Sequence, residues 1–263
     1  MKLGLSIIFT ISTLAVLAPM VSPYDPTDYE LSARLQTPSS IHFLGTDTNG
    51  TDIFTQLLFG ARLSLTISFI VIGISVFIGL IFGSLAGYWG GSIDMILMRI
   101  IDMMYAFPGF LLALSVIAFL GPSISHLIFA LCITGWTSFA RIVRSEMMSL
   151  KTKEFVSSAK AIGVSDLRII VTHLWPNLVA PVSVQISFGL AATIMSEAGL
   201  SFLGLGVPPN ETSWGTLLSM GRRVLINAPH VSIFPGLAIM TLVLGFNLVG
   251  DGLRLYFDPK SSS

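Results

Sequence analysis

The sequence predicts an all-α protein that crosses a membrane about six times. Hydrophobic residues make up 53% of the 263-residue chain and charged residues only 11%, whereas soluble domains carry about 25% charged residues. The hydrophobic residues are also gathered into long runs that polar segments separate. Inside a bilayer the backbone must satisfy its own hydrogen bonds, and a helix does so within one segment. We therefore expect a polytopic helical membrane protein.

Six apolar stretches are candidate spans, since a membrane-spanning helix needs about 20 predominantly apolar residues, but the fourth is short unless it extends toward Arg141. They are residues 3–21, 63–85, 101–120, 125–139, 178–200 and 233–250. The first stretch has an alternative interpretation as a cleavable signal peptide, because Lys2 precedes it. We favour a retained helix, since the run is long and Pro19-Met20-Val21 is a poor small-residue cleavage site.

Local features within these stretches predict how the helices bend and pack. Phe107-Pro108-Gly109 interrupts the third stretch, and proline kinks a helix by removing one backbone hydrogen bond. Gly79, Gly83 and Gly87 share one face of the second stretch and predict close contact with a neighbouring helix. Arg99 and Asp102 lie one turn apart and are expected to pair with each other.

Basic residues predict the orientation of the chain, because they are enriched on the cytoplasmic side of membrane proteins. With the N-terminus inside, ten of the 14 basic residues fall on the cytoplasmic side, and only Arg34, Arg62, Arg222 and Arg223 fall outside. Both termini are therefore predicted to be cytoplasmic.

Three connections are too long to be simple turns, and long ordered loops are usually functional. Residues 22–62 and 201–231 are predicted to be external, and a short interfacial helix is predicted at residues 51–58. Residues 141–177 are predicted to be cytoplasmic. This organisation divides the chain into residues 1–62, the first helix with its external segment, and residues 63–260, a five-helix core with the cytoplasmic segment.

The cytoplasmic segment is predicted to contain a short polar helix over residues 153–162. Phe155, Ala159 and Ile162 fall on one apolar stripe, and Ser157 and Ser158 are small enough to let a partner surface approach. The sequence leaves two interpretations open: a docking helix for a soluble partner, or an amphipathic helix that lies on lipid headgroups.

Glycine and proline predict the boundaries within this segment. Gly163 suits the left-handed position that ends a helix. Ser165 can cap a second helix over residues 166–173, with Asp166 in its first turn. Pro176 then falls in the first turn of the fifth membrane helix, where proline is tolerated.

Eight short blocks follow one another along residues 3–260 in a fixed order. They are His42-Phe-Leu-Gly-Thr-Asp47, Gly60-Ala-Arg-Leu-Ser-Leu65, Gly87-Tyr-Trp-Gly-Gly-Ser-Ile-Asp94, Arg99-Ile-Ile-Asp102, Phe107-Pro108, Leu200-Ser-Phe-Leu-Gly-Leu-Gly206, Trp214-Gly215 and Gly250-Asp-Gly-Leu-Arg254. In residues and spacing they resemble the inner-membrane permeases of bacterial ABC importers, specifically the C-type permease of the peptide/nickel family. The cytoplasmic segment resembles that family's coupling motif, which is a Glu-Ala-Ala triplet followed by glycine and a terminal proline.

The chain departs from the family pattern at several positions. The triplet falls on Ser157, Ser158 and Ala159, so its acidic residue is missing, and Glu154 is a candidate substitute nearly one turn earlier. Thr51 stands where the family usually has arginine. Two further departures are Leu255, in place of an acidic residue, and His230, in place of a tryptophan.

The resemblance implies a function and a set of partners. The chain would be a non-catalytic permease that pairs with a homologous permease in the bacterial inner membrane. Two cytoplasmic ATPase subunits would grip the coupling helices and use ATP and Mg²⁺, and an external substrate-binding protein would deliver the substrate. The residues implied at the ATPase contact or its frame are Glu154, Phe155, Ser157, Ser158, Ala159, Ile162, Gly163, Arg168 and Pro176.

The residues exclude ATP hydrolysis through a P-loop in this chain, because none of its five lysines follows a glycine. The four histidines are scattered, so no metal site is predicted. No catalytic site is predicted either, because no paired-carboxylate or Ser–His–Asp arrangement stands out, and the net charge of zero suggests no nucleic-acid partner. Weak candidates for the substrate path are Met103, Tyr105 and Glu197, although Glu197 is expected rather to hold the 200–206 loop through backbone hydrogen bonds.

Two rival functions are less favoured. A self-sufficient secondary transporter is expected to show internal repeats and charges at the midplane. An intramembrane enzyme would need titratable groups that converge within the span. The substrate stays open among dipeptides, oligopeptides, nickel complexes and other small solutes.

Overall fold

A computed structural model of the chain describes residues 1–208 and 211–257, so the last three residues of the predicted core, 258–260, lie outside the described part. The described residues form helices joined by turns and irregular segments. The α-helices are α1 (Lys2–Val16), α2 (Ala18–Val21), α3 (Ile53–Trp89), α4 (Gly91–Tyr105), α5 (Gly109–Leu120), α6 (Ile124–Leu150), α7 (Glu154–Ala161), α8 (Asp166–Ile169), α9 (Trp175–Phe202), α10 (Trp214–Arg222) and α11 (His230–Phe257). A π-helical turn, Ile170–Leu174, joins α8 to α9, and a 3₁₀ turn forms at Leu31–Ala33.

Four helical stretches of the described chain are long and apolar enough to cross a membrane: Ile53–Trp89, Ile124–Leu150, Asp166–Phe202 and His230–Phe257. The pair α4 and α5 adds a fifth if it is one broken span, since the two helices meet at 80°. The first predicted span, residues 3–21, is not one long helix: the apolar α1 has only 15 residues, too few to count among these spans, and it ends where the chain turns at Leu17 before Pro19. The predicted interruption at Phe107-Pro108 is confirmed, and the structure shows how large the bend is.

The predicted separate helix at residues 51–58 is wrong. Helix α3 begins at Ile53, where the Asp52 carboxylate accepts a hydrogen bond from the Thr55 N–H at 2.8 Å, and it continues for 37 residues to Trp89. Nothing breaks its hydrogen-bond ladder at residues 58–63, so the external turn and the membrane helix are one rod. Helix α3 therefore runs through the predicted division of the chain at residue 62.

The predicted contact at the glycine face of α3 is confirmed. A Cβ atom added at Gly83 would lie 2.7 Å from the Ala140 carbonyl oxygen, and one at Gly87 would lie 2.7 Å from the Arg144 carbonyl oxygen. Gly79 meets Phe139 in the same way. The backbones of α3 and α6 thus touch along three turns, as small residues permit between membrane helices.

The external segment before α3 is ordered by a buried carboxylate. Asp47 accepts hydrogen bonds from the Asn49 N–H at 2.7 Å, the Thr51 N–H at 3.0 Å and the Gln56 amide at 3.0 Å. Burial raises the pKa of the Asp47 carboxyl above its usual value, and those hydrogen bonds oppose the rise in part. Nearby, the ring of His42 lies 3.0 Å from a carboxylate oxygen of Asp52.

Candidate coupling site

The segment from Glu154 to Pro176, called the connector below, begins with the short helix α7. Lys153 is in an extended conformation at the N-cap, and Glu154 in the first turn is favourably placed at the positive end of the helix dipole. At the other end Gly163 adopts a φ of +80°. Its N–H donates to the Lys160 carbonyl at 3.0 Å, and the Val164 N–H donates to the Ala159 carbonyl at 3.1 Å. This is the glycine-ended helix stop that the sequence predicts at Gly163.

The buried face of α7 differs from the predicted stripe. Val156 and Ala159 are buried, and they pack in a cluster with Val143 and Met147 of α6 and with Ile169 of α8. Ala159 therefore anchors the helix and is not available on its surface. The predicted stripe is wrong because the buried face is centred between Val156 and Ala159. Phe155 and Ile162 lie on either side of that face and are exposed.

The outer side of the connector presents apolar residues among polar ones. Phe155 is 42% exposed, Ile162 is 81% exposed, and Leu167 at the start of α8 is 69% exposed. The other predicted contact residues are also exposed: Glu154, Ser157, Ser158, Gly163, Arg168 and Pro176. Leu167 was not predicted. The signal that could have found it is its position beside Ile169 and Ile170, which face inward and leave Leu167 to face out.

The second half of the connector is not the separate helix predicted at residues 166–173. Only Asp166–Ile169 is α-helical, and the π-helical turn Ile170–Leu174 leads without a break into α9. The reason is Pro176, which lacks an N–H and whose ring crowds the carbonyl four residues earlier. A π turn accommodates that crowding. The Asn177 side-chain amide then donates to the His173 carbonyl at 2.7 Å.

Polar contacts fasten the connector to the membrane helices. The Tyr88 hydroxyl of α3 donates to the Asp166 carboxylate, and the Lys160 ammonium lies 4.9 Å from the centre of the Tyr88 ring. The Trp175 indole N–H donates to the Ser84 hydroxyl at 3.0 Å. Just before the connector, the Lys151 ammonium donates to the Gly87 carbonyl at 2.8 Å. A force applied to α7 therefore reaches α3, α6 and α9 through short, direct contacts.

A second clamp lies at the same end of the bundle. The guanidinium of Arg144 on α6 holds the carboxylate of Asp94 on α4 by two hydrogen bonds, of which the Nη2–Oδ2 bond measures 2.6 Å. Helix α4 is therefore tied to the same body as the connector.

This geometry, a short exposed helix fixed rigidly to a bundle of apolar helices, agrees with the comparison to known proteins. The model of a family described as "Binding-protein-dependent transport system inner membrane component" matches residues 79–263. The chain belongs to this family. The fold class and the family resemblance predicted from the sequence are thereby confirmed.

Relatives cover nearly the whole chain. It is 44% identical to the dipeptide transport system permease protein DppC of Alkalihalophilus pseudofirmus over 99% of this chain and 86% of that protein. It is 41% identical to the glutathione transport system permease protein GsiD of Pectobacterium atrosepticum, again over 99% of this chain and 86% of the relative. This permease is a non-catalytic, membrane-embedded subunit of an ABC transporter, whose ATPase is a separate subunit.

A solved structure shares the fold. It is described as the inward-facing MetNI methionine ABC transporter, and it superposes with a TM-score of 0.62 over 76% of this chain and 94% of that chain at 17% identity. The likeness concerns the arrangement of helices.

The predicted ion pair on α4 of the permease needs correction. Asp102 does not pair with Arg99. It accepts a hydrogen bond from Arg141 of α6 at 2.6 Å, and the Arg141 guanidinium also stacks 4.2 Å from the centre of the Tyr105 ring. Arg99 is exposed on the surface of α4. The tertiary partner wins because α4 lies beside α6.

The three candidates for the substrate path lie in different surroundings. Met103 and Tyr105 are exposed on α4, whereas Glu197 is fully buried. The Glu197 carboxylate accepts from the Ser64 hydroxyl at 2.8 Å and from the Ser201 hydroxyl at 2.9 Å. The Ser201 oxygen in turn accepts from the Val207 N–H at 3.1 Å. Glu197 therefore steadies the 200–207 loop through a hydroxyl relay rather than by the direct backbone hydrogen bonds predicted.

Metal-ligating side chains do not converge in the described part of the permease: no group of three or more His, Cys, Asp or Glu residues is arranged to hold a metal ion there. Cys132 is buried, as expected for a small apolar side chain.

Proposed function

We propose that this permease forms one half of the membrane path of a binding-protein-dependent peptide importer, and that the outer side of its connector receives a cytoplasmic ATPase subunit. The observation that carries the proposal is the two-sided construction of α7. Val156 and Ala159 fix its inner side to the bundle, while Phe155 and Ile162 remain exposed. Exposed apolar groups on a rigid support are typical of protein contact sites.

The partners follow from this role. A homologous second permease completes the path, two ATPase subunits use ATP and Mg²⁺, and an external substrate-binding protein delivers the cargo. The permease itself holds no cofactor in this proposal. ATP-driven closure of the ATPases would move the connectors, and the bundle would follow as a rigid body in alternating access.

The orientation proposed is the one that places the connector and both termini in the cytoplasm, with the chain in the bacterial inner membrane. The ten-to-four division of basic residues supports it. The α7–α8 surface itself carries Lys153, Lys160 and Arg168, all exposed.

Peptides are the cargo that the relatives favour. The names of the two relatives described above refer to dipeptide and glutathione transport, and glutathione is itself a peptide. We therefore place peptides ahead of nickel complexes. Growth on a peptide as sole amino-acid source, compared with accumulation of nickel, separates the two cargoes.

The decisive experiment replaces Ile162 with glutamate in the complex formed with the partner ATPase. Burying this charge at a contact should weaken ATPase binding by about 30-fold or more, the effect of losing a dominant contact residue. Co-purification of the ATPase measures it. A matched control is Ile226→Glu. Ile226 is 97% exposed, and it lies in the predicted external segment 201–231, on the opposite side of the membrane from the predicted position of the connector. Unchanged co-purification of the Ile162 variant would reject the docking surface.

A second experiment tests the rival function, a self-sufficient secondary transporter. Purified permease reconstituted without its partners should take up no peptide. Uptake driven by an ion gradient in those vesicles would favour the rival function.

A further inference from the structure

A cavity lies among the membrane helices, away from the connector. It is half open, has a volume of about 390 Å³, and is bordered by α3, α6 and α9 together with the first turns of α5, just after the 80° bend. Ile72 of α3, Phe139 of α6 and Gly189 of α9 border it, and each is close to the middle of its helix. The cavity is therefore near the expected midplane of the bilayer.

Polar but uncharged side chains line this cavity. None of the lining residues described is acidic or basic, and the polar ones are Thr134, Ser138, Gln185, Thr193 and Ser196. Phe110 and Phe188 supply apolar surface. Ligand sites commonly combine apolar walls with a few polar groups in this way, and they occur between the helices of bundles.

The hydroxyl groups in the wall keep their capacity to accept hydrogen bonds. Thr134 donates to the Leu131 carbonyl at 3.2 Å, Ser138 to the Gly135 carbonyl at 3.1 Å, and Thr193 to the Gly189 carbonyl at 2.8 Å. Each hydroxyl thus donates its hydrogen bond to a carbonyl of its own helix, and its oxygen lone pairs remain free to accept a hydrogen bond from a ligand.

Gln185 supplies the complementary groups. Its side-chain amide makes no hydrogen bond within the described chain, although it lines a cavity at the expected midplane. The amide has two donor hydrogens and one acceptor oxygen. Gln185 is only partly buried, so its unpaired amide is open to the cavity, where a ligand or water can pair with it.

We propose that this cavity is a contact site on the substrate path and that Gln185 and the neighbouring hydroxyls bind the amide groups of a passing peptide. The inference rests on the proposed function and names the part of the chain that the cargo touches. Backbone amides are common to all peptides, whereas a charged wall would favour side chains of one sign. An uncharged hydrogen-bonding wall therefore suits a path that must pass peptides of differing charge, and it replaces Met103, Tyr105 and Glu197 as the candidate lining.

The first test measures access of water to the cavity in the assembled transporter. Gln185→Cys should react with a charged, membrane-impermeant methanethiosulfonate reagent, and saturating Ala-Ala-Ala delivered with the binding protein should suppress the reaction. Met240→Cys is the control, because Met240 lies outside the cavity on the exposed surface of α11. Helix α11 is a candidate membrane span, so a charged reagent dissolved in water should not reach this position. It should stay unlabelled, as should the wild type with its buried Cys132.

The second test asks whether cargo passes close to Gln185. In Gln185→Glu, uptake of Ala-Lys-Ala relative to Ala-Glu-Ala should rise about tenfold or more over the wild-type ratio, since a charge a few ångströms away in a partly desolvated site changes affinity by at least that factor. Asn247→Asp introduces the same change on α11, outside the cavity, and should leave the ratio at the wild-type value.

The outcomes separate the two proposals. If the wild type takes up no tripeptide although the ATPase assembles, the proposed peptide cargo fails. If the wild type takes up both tripeptides but Gln185→Glu leaves their ratio unchanged, the cavity is not on the path. Cross-linking of Gln185→Cys to the partner permease, with no reagent labelling, would show that a helix of that subunit fills the cavity and would also overturn the inference.

Discussion

The hydroxyl of Tyr88, in the last turn of α3, donates a hydrogen bond to the carboxylate of Asp166, at the start of α8. The two residues are separated by 78 positions in the sequence. Because α3 is the longest α-helix described, this contact links the connector to a rod that runs through the bundle to the opposite, predicted external side.

Loss of that hydroxyl should loosen the link between ATP hydrolysis and transport. Tyr88→Phe keeps the ring that packs against Lys160 but removes the hydrogen bond, at a cost of about 1 kcal/mol for a half-exposed acceptor. We expect the ATPase still to bind, and the number of ATP molecules hydrolysed per peptide to increase. Tyr105→Phe is the control, because its ring stacks on Arg141 and its hydroxyl makes no hydrogen bond in the described chain. An unchanged ratio in Tyr88→Phe would contradict this role.

The backbone conformation at Gly163 should decide whether the connector keeps its shape. A Cβ atom there would meet nothing within 4 Å, so any cost of substitution comes from the φ of +80° alone. Left-handed backbone costs an ordinary residue about 1–2 kcal/mol, and asparagine less. Gly163→Val should therefore weaken ATPase binding about 5- to 30-fold and reduce uptake accordingly while membrane insertion continues, and Gly163→Asn should retain most of both.

Gly204 provides the matched control for this series. It has the same φ of +80° and the same open surroundings, but it lies in the predicted external loop. Gly204→Val should leave ATPase binding intact. Equal loss in both valine variants would mean that general misfolding explains the result.

The contact between α3 and α6 should not tolerate even one added methyl group. An alanine Cβ at Gly83 would lie 2.7 Å from both the Ala140 carbonyl oxygen and the Val143 Cβ, so the helices must separate. Overpacking of this kind costs about 1–3 kcal/mol. Thermal unfolding of the purified complex should show a lower midpoint for Gly83→Ala. Gly73→Ala, on the same helix with nothing within 4 Å, should match or exceed the wild type.

The external segment should become less stable as the pH rises. The pKa of Asp47 is raised by burial in the folded chain, so the protonated form favours folding and that contribution is lost as the pH rises above the ordinary value of 3.8. Limited proteolysis of residues 22–52 should therefore accelerate from about pH 4 toward neutrality, and Asp47→Asn should flatten this dependence. Asp25 is the control residue, since hydrogen bonds from Thr27 lower its pKa. Its contribution to the stability of the segment should therefore increase, not decrease, as the pH rises. A slope in Asp47→Asn equal to that of the wild type would exclude Asp47 as its source.

Features set by neighbouring residues could be predicted from the sequence, and features set by distant contacts could not. The stop at Gly163 and the break at Pro108 follow from the backbone chemistry of single residues. The partner of Asp102 could not be predicted, because Arg141 comes from another helix. The buried face of α7 was also missed, since eight residues give too few turns for periodicity to distinguish neighbouring faces. The cavity at Gln185 requires the bend of α5 beside α6 and α9, which only the folded chain brings together.

The glycine face of α3 also limits how this molecule can change shape. With Gly79, Gly83 and Gly87 against α6, the two backbones lie close together, and a shift along either axis would bring the larger side chains of α3 against α6 in place of the glycines. We therefore expect α3 and α6 to move as one rigid unit during each transport cycle. Spin labels placed one on α3 and one on α6 should report a single distance throughout the transport cycle. Labels placed one on α3 and one on the partner permease should report two distances, one for each orientation of the path.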